Sequence, residues 1–331
     1  MALPIFHARR DFKLRARVVG DRPLVYSGPA TDGTRPDHVR AGSGLAWTGE
    51  RMVVVQDDAD YIAVIDEGGG SVTALPIRSG SGAGAPKART EHLELEAVLS
   101  AKDWRGEFLL AFGSGLTDKQ RHVARMRLSA GDTEMSVFET RKLYQAVEDI
   151  PDFATTEINI EGVALIPRAI EGRDAVRLFH RAVGPPRCQR EHHYSGTVDL
   201  RLDSLIAYLD RCKRDPNAFL GFDLHEPRRY DLDEFEGAPF TFTDAAPLDG
   251  GRVAYIAIAE KPGEAQAVAL ALGVIEADGS ARYTMLVEKD GSMSRRRAEG
   301  MVMSSPSAGF LVVQDSDEGP ATLANVDVVG L

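Results

Sequence analysis

The chain has 331 residues, room for two ordinary domains or one large one, and a hydrophobic content of 43% supports a sizeable core. A net charge of −11 argues against nucleic acid or an anionic membrane as the main partner, and two cysteines, Cys188 and Cys212, imply neither a disulfide framework nor a thiolate metal cluster. No run approaches the roughly 18 apolar residues of a membrane span, and Met1–Val18 is basic without a continuous apolar stretch, so a soluble, cytoplasmic protein without a secretory signal is expected.

Short apolar runs separated by Gly, Asp and Pro fill nearly the whole chain. The first group is Met52–Gln56, Tyr61–Ile65 and Val72–Ile77; the second is Phe108–Phe112, Val123–Leu128 and Met135–Phe138. A third holds Val176–Phe179, Thr197–Leu202 and Phe219–Leu224, and a fourth Val253–Ala259, Ala267–Ile275 and Tyr283–Val287. The last is Met301–Met303, Phe310–Gln314 and Leu323–Val329. Strands of four to eight residues at this density indicate an all-β protein.

A phrase that returns five times organises these runs. It reads Ser43-Gly44-Leu45-Ala46, Glu96-Ala97-Val98-Leu99, Glu161-Gly162-Val163-Ala164, Asp244-Ala245-Ala246-Pro247 and Glu299-Gly300-Met301-Val302. Four copies open with a carboxylate, and each is followed by about three further strands. Repetition of a unit that cannot bury its own face is the signature of a β-propeller built from four-stranded blades. The spacings are 53, 65, 83 and 55 residues. The long third step carries a capping Asp203 or Ser204, apolar Leu205, Ile206 and Leu209, and Pro216 beyond, which predicts a short helix near 203–214 inserted in one propeller domain. The fifth copy has 32 residues after Glu299, one strand short. Phe12–Val19 or Leu24–Ser27 would supply that strand and close the ring from both termini. Five blades is the expected count, with six the alternative if a blade lies within 180–240. A second match, Val53-Val54-Val55-Gln56-Asp57 with Leu311-Val312-Val313-Gln314-Asp315, supports the repeat.

In such a blade the first strand lines the channel and the antiparallel second strand ends beside its start. One mouth therefore gathers Ser43, Glu96, Glu161, Asp244 and Glu299 with Asp57, Ser114, His180, Arg181, Glu260 and Asp315. Bare carboxylates at roughly 5 Å repel by several kcal/mol, so they must protonate, pair with cations or bind a metal. Arg181, Arg121 and Arg89 are candidate internal cations and, with Ser114, candidate ligand-binding residues. Ca²⁺, with roughly 6–8 oxygen ligands, is the expected metal, held by Glu96, Glu161, Asp244, Glu299, Asp57 and Asp315. Zinc is less expected, since the chain offers no thiolate pair and no His-x-x-x-His helix. His180, Arg181 and Glu161 are the candidate catalytic residues. The same acids can instead cap backbone amides between blades.

Other signals are weaker. Gly80-Ser81-Gly82-Ala83-Gly84-Ala85 opens no helix and reads as a linker. Phe112-Gly113-Ser114-Gly115 lacks the spacing of a nucleophile elbow. His192-His193 reads as a polar loop, and Arg295-Arg296-Arg297 as a solvated run beside Glu299.

With Leu95-Glu96-Ala97-Val98, Phe112-Gly113-Ser114-Gly115, Asn159-Ile160-Glu161-Gly162-Val163, Phe242-Thr243-Asp244-Ala245-Ala246 and Glu299-Gly300-Met301, the chain resembles a group of uncharacterised bacterial β-propeller proteins. It is distantly similar to phytase-like esterase propellers, whose repeats also use Glu-Gly at inner strands. The resemblance implies the fold and, more weakly, hydrolysis. Three function classes follow. One is a divalent-cation-dependent hydrolase of phosphate or other esters, acting on a small anionic or ester substrate. The second is a glycoside hydrolase using two of the acids, against which the low aromatic content speaks. The third is a non-catalytic propeller that binds a small ligand or a protein and has a structural ion site.

Overall fold

Apolar runs bounded by Gly and Asp become strands because each can bury both faces between neighbouring sheets. Val253–Ala259 and Ala269–Ile275 are buried at every residue, so they read as continuous apolar runs rather than alternating ones. Outer strands alternate instead, as in Arg15–Pro23, where Ala16 and Val18 are buried and Arg15 and Arg17 exposed. The computed structural model describes residues 3–28, 35–59, 61–66, 70–77, 93–129, 132–154, 156–182, 194–215, 221–263, 266–304, 309–316 and 319–331.

Three short N-terminal strands come first: β1 (Ile5–His7), β2 (Arg9–Arg10) and β3 (Arg15–Pro23). The first antiparallel group is β4 (Gly42–Thr48), β5 (Arg51–Gln56), β6 (Tyr61–Ile65) and β7 (Val72–Pro76). The second is β8 (Leu95–Asp103), β9 (Gly106–Gly113), β10 (His122–Ser129) and β11 (Asp132–Glu139), followed by helix α1 (Arg141–Glu148). The third is β12 (Ile160–Ile170), β13 (Arg173–His180), β14 (Ser195–Arg201) and β15 (Leu224–Asp231), with helix α2 (Leu202–Cys212) between the last two and β1 added in parallel at the edge. The fourth is β16 (Glu234–Phe235), β17 (Ala238–Pro247), β18 (Val253–Ala259), β19 (Ala269–Ile275) and β20 (Ala281–Val287). The fifth is β21 (Arg297–Met303), β22 (Gly309–Asp315) and β23 (Thr322–Val329), completed by β3 along β23. A short parallel pairing of β20 with β3 joins the fourth and fifth groups, with β2 also paired in parallel to β20, into one ten-stranded sheet.

Packing, rather than strand pairing, links the other groups. The inner strands touch in the order β4, β8, β12, β17, β21 and back to β4. Five apolar clusters fill the spaces between consecutive groups. The cluster between the fifth and first, around Leu45, Val54, Val313 and Leu323, completes the cycle. The N-terminal segment thus contributes through β3, as a donated strand from one terminus requires.

Several expectations shift. Helix α2 lies where the insertion was expected, burying Leu205, Tyr208, Leu209 and Cys212. The fourth strand of the third group is the polar Leu224–Asp231 rather than Phe219–Leu224, because this outer strand is only half-buried along most of its length and needs few apolar residues; Phe219 and Leu220 lie outside the described residues. Helix α1 was not expected; its apolar contacts are only Leu143, Tyr144 and Val147. Residues 180–240 supply β14 and β15 to the third group and, among the described residues, no separate group.

Candidate functional site

The register places starts of inner strands beside ends of second strands, with Gly42 opposite Gln56, Leu95 opposite Gly113, Ile160 opposite His180 and Arg297 opposite Asp315. Each inner strand carries a bulge at this end. The extra residue is Ser43, Glu96, Glu161, Thr243 or Glu299. A bulge leaves one residue out of the ladder and re-aims its side chain. The repeated phrase is therefore a bulge repeated at one level of five inner strands.

Close packing explains the residue that follows. A Cβ on Gly44 would lie 2.9 Å from the Glu96 carbonyl oxygen, one on Gly162 2.9 Å from Asp244 Cα, and one on Gly300 2.8 Å from the Ser43 carbonyl oxygen. Small residues there let neighbouring inner strands approach backbone to backbone. In the fourth copy the bulge falls on Thr243, so Asp244 takes the glycine position instead of the acid position. Asp244 is fully buried, and its Oδ2 accepts the Met301 amide at 2.7 Å. Burial pushes its carboxyl well up, against amide hydrogen bonds that pull it down. Thr243 donates to the Ala298 carbonyl at 2.7 Å. Asp244 is thus placed as a strand-to-strand cap, out of phase with the other acids.

The remaining acids gather around one buried cation. Arg181 follows β13, its side chain 8% exposed. Its Nη2 meets Glu260 at 2.5 Å, its Nη1 lies 3.5 Å from Glu161 and 3.9 Å from Glu299, and its Nε donates to Thr241 Oγ1 at 3.2 Å. Burial opposes its charge, but Glu161, Glu299, Glu260 and Glu96 together hold it firmly protonated. Arg297 adds a second cation, 3.4 Å from Glu260 and 3.8 Å from Glu299. Asn159 Nδ2 donates to Glu161 at 2.6 Å.

Two cations do not balance this many acids. Glu96 is pushed well up, first by burial and then by the fields of Glu161, Asp57, Glu299 and Glu94. Glu299 is raised to about 8, burial outweighing the opposing pull of Arg181. Both shifts are in the direction of proton uptake, one of the routes open to crowded carboxylates. Among the described residues no group of three or more His, Cys, Asp or Glu is arranged to hold a metal ion. Three of the six expected Ca²⁺ ligands are engaged otherwise: Glu161 and Glu299 share the Arg181 guanidinium and Asp244 accepts the Met301 amide.

The other candidates take varied places. His180 is fully buried, its Nδ1 3.2 Å from the Asn159 amide and its ring against Phe153, behind the mouth rather than in it. Asp57 follows β5 and acts on Glu96 through its field. Asp315 ends β22 opposite Arg297. Arg121 is drawn away to Glu148 of α1 at 2.8 Å and to the Gly115 carbonyl at 3.2 Å. Ser114 is 1% exposed, and its carbonyl accepts the Ile160 amide at 2.8 Å. The glycines around it seat Tyr144, whose ring a Cβ on Gly115 would meet at 2.3 Å and whose hydroxyl donates to Gly113. Arg89, His192, His193 and Gly80–Ala85 lie outside the described residues. Sequence reasoning missed Asn159, Thr241 and Thr243 as members of the site. Aligning the fourth copy on Thr243 rather than on its acid would have exposed the last.

A model described as "Family of unknown function (DUF6929)" matches residues 38–328. No curated protein matches. Among solved structures, a hypothetical protein from Leishmania major is 15% identical with a TM-score of 0.47, covering 95% of this chain and 94% of its own. MPT-4, a mannose phosphorylase from Leishmania mexicana, is 14% identical with a TM-score of 0.47, covering 95% and 92%. Glutaminyl cyclase from Myxococcus xanthus is 9% identical with a TM-score of 0.43, covering 100% of both chains. Likeness at this level assigns no activity.

Proposed function

The chain belongs to this family over most of its length, and on that premise we propose that it is a small-molecule hydrolase whose catalytic groups are carboxyls at the mouth of a five-bladed β-propeller. The blade count rests on the five strand groups, the closed order of their inner strands and the five clusters between them.

A single observation carries the enzyme reading. One mouth holds both a carboxyl driven toward its protonated form, Glu96, and a carboxylate paired with a guanidinium, Glu161. A carboxyl pushed toward its protonated form beside a second carboxyl oriented by a guanidinium and an amide is an arrangement that acid–base hydrolysis uses. Glu96 is suited to give a proton to a leaving oxygen. Glu161, oriented by Asn159, is suited to take one from water or to attack directly. Arg181 fixes Glu161 and Glu299 and supplies the positive charge expected of a metal. The reading therefore departs from the Ca²⁺-dependent, phytase-like esterase that the sequence favoured and keeps the hydrolytic class.

The test needs no substrate. Difference infrared spectra of wild type and Glu96→Gln at neutral pH report protonated carboxyls directly. A protonated-carboxyl band lost in the variant is expected. No such band would overturn the acid role. In a screen of chromogenic esters and glycosides, any turnover is expected to fall at least about 100-fold in Glu161→Gln, the scale of general-base catalysis.

A further inference from the structure

We propose that the ligand of this mouth is a neutral, hydroxyl-rich small molecule of the sugar, sugar-lactone or polyol class, rather than a phosphate ester or other anion. The inference rests on the preceding reading of the mouth as the ligand site and concerns what that site accepts.

Charge comes first. The mouth holds Asp57, Glu96, Glu161, Glu260 and Glu299 against Arg181 and Arg297. The nitrogens of the buried guanidinium are all committed: Nη2 to Glu260, Nη1 between Glu161 and Glu299, and Nε to Thr241. An incoming phosphate would have to displace carboxylates from Arg181 and sit among those left behind. Like charges in a water-poor site raise the free energy of such a complex steeply.

Two buried polar atoms point the same way. Asn159 is 2% exposed, and its Nδ2 is spent on Glu161, yet its Oδ1 has no hydrogen-bond partner among the described residues. Ser114 is 1% exposed, and its Oγ likewise has none. Both belong to the acid cluster. Ser114 follows Gly113, which pairs with Leu95 beside Glu96, and its carbonyl holds the Ile160 amide between Asn159 and Glu161. Buried polar atoms without partners are uncommon and costly. The Asn159 oxygen can only accept, and the Glu161 carboxylate beside it also accepts. The ligand that completes this surface must bring donors. Several hydroxyl groups on a neutral frame supply them without adding negative charge.

The experiment is a melting and calorimetric titration of the full chain at fixed ionic strength. The panel is glucose, mannose, gluconolactone and mannitol, their available 6-phosphates, and inorganic phosphate. At least one neutral member is expected to bind saturably and raise the melting temperature by mass action, with its phosphorylated counterpart at least about tenfold weaker. Ser114→Ala and Asn159→Ala are each expected to weaken that binding about three- to tenfold, the scale of one hydrogen bond. Ser114→Ala removes an unpartnered hydroxyl and is expected to fold as wild type, so it keeps the test open if Asn159→Ala does not fold. Stronger binding of phosphorylated members, no binding of any neutral member, or neutral binding indifferent to Ser114→Ala would each overturn the proposal. Failure of the catalytic reading looks different. Saturable sugar binding with no protonated-carboxyl band would remove the acid role and leave the ligand class standing. The band with a preference for anions would do the reverse.

Discussion

Arg177 and Arg181 lie four residues apart along one stretch of chain and are buried alike, with side chains 6% and 8% exposed. Their surroundings differ. Arg177 faces Asp199 across the β13–β14 ladder in a two-pronged pair at 2.7 and 2.8 Å, one cation against one anion. Arg181 is shared by Glu161, Glu260 and Glu299, each from a different strand group. A matched pair fixes structure. A shared cation leaves excess acid that must take up protons, and protons that can move are what acid–base chemistry needs.

The largest effect expected from breaking this contrast is on the matched pair. Asp199→Ala strands a buried guanidinium and is expected to cost about 3–5 kcal/mol in urea unfolding. Replacing both partners with apolar residues, Arg177→Met with Asp199→Leu, is expected to recover most of it. If the double variant is no better than the single one, the pair is not a closed unit.

Arg181→Met comes next and differs in kind. Its loss of stability is expected to depend on pH, larger near pH 8, where Glu299 is losing its proton, and smaller near pH 5, where Glu96 and Glu299 hold theirs. Equal losses at both values would erase the distinction between the two arginines.

Glu299→Gln sharpens the comparison further. The Glu299 carboxyl titrates near 8 when folded, above its usual 4.5. The folded state therefore binds more protons than the unfolded state between these values, and this group's contribution to stability falls as pH rises from about 4.5 to about 8. The amide does not titrate. The variant is expected to be more stable than wild type at pH 8, by at least about 1.4 kcal/mol, the equivalent of one pKa unit. Near pH 4.5 the two should be close. A gain that is the same at both pH values would show that the carboxyl is not held protonated.

The smallest effect expected is that of Ca²⁺. A millimolar series against EDTA should move the melting temperature little in wild type. It should move it more in Arg181→Met, where the carboxylates lose their internal cation. A large, saturable rise in wild type would restore the metal-centred reading.

Much of the strand pattern was legible. Tyr61–Ile65 and Val253–Ala259 were read to the residue because buried strands between two sheets are apolar throughout. The polar strand Leu224–Asp231 was not, since a strand that is only half-buried carries little hydrophobic signal. The acid repeat was legible, as was its convergence at one end, because the phrase recurs near the start of four of the five inner strands. The role of Asp244 was not. The phrase was aligned on charge, whereas the backbone aligns it on the bulge, and a bulge is a property of pairing between strands.

The sequence by itself determined the all-β character, the five copies, the donated terminal strand as a possibility and the accumulation of acids at one mouth. These follow from local composition and periodicity, which act on residues near one another in the chain. Only the tertiary structure decided that β3 supplies the closing strand, that Arg181 stands among three carboxylates, and that Asn159 orients Glu161 while Arg121 turns away to Glu148. Those relations join residues from different strand groups, and their strength depends on burial and distance, neither of which a linear sequence carries.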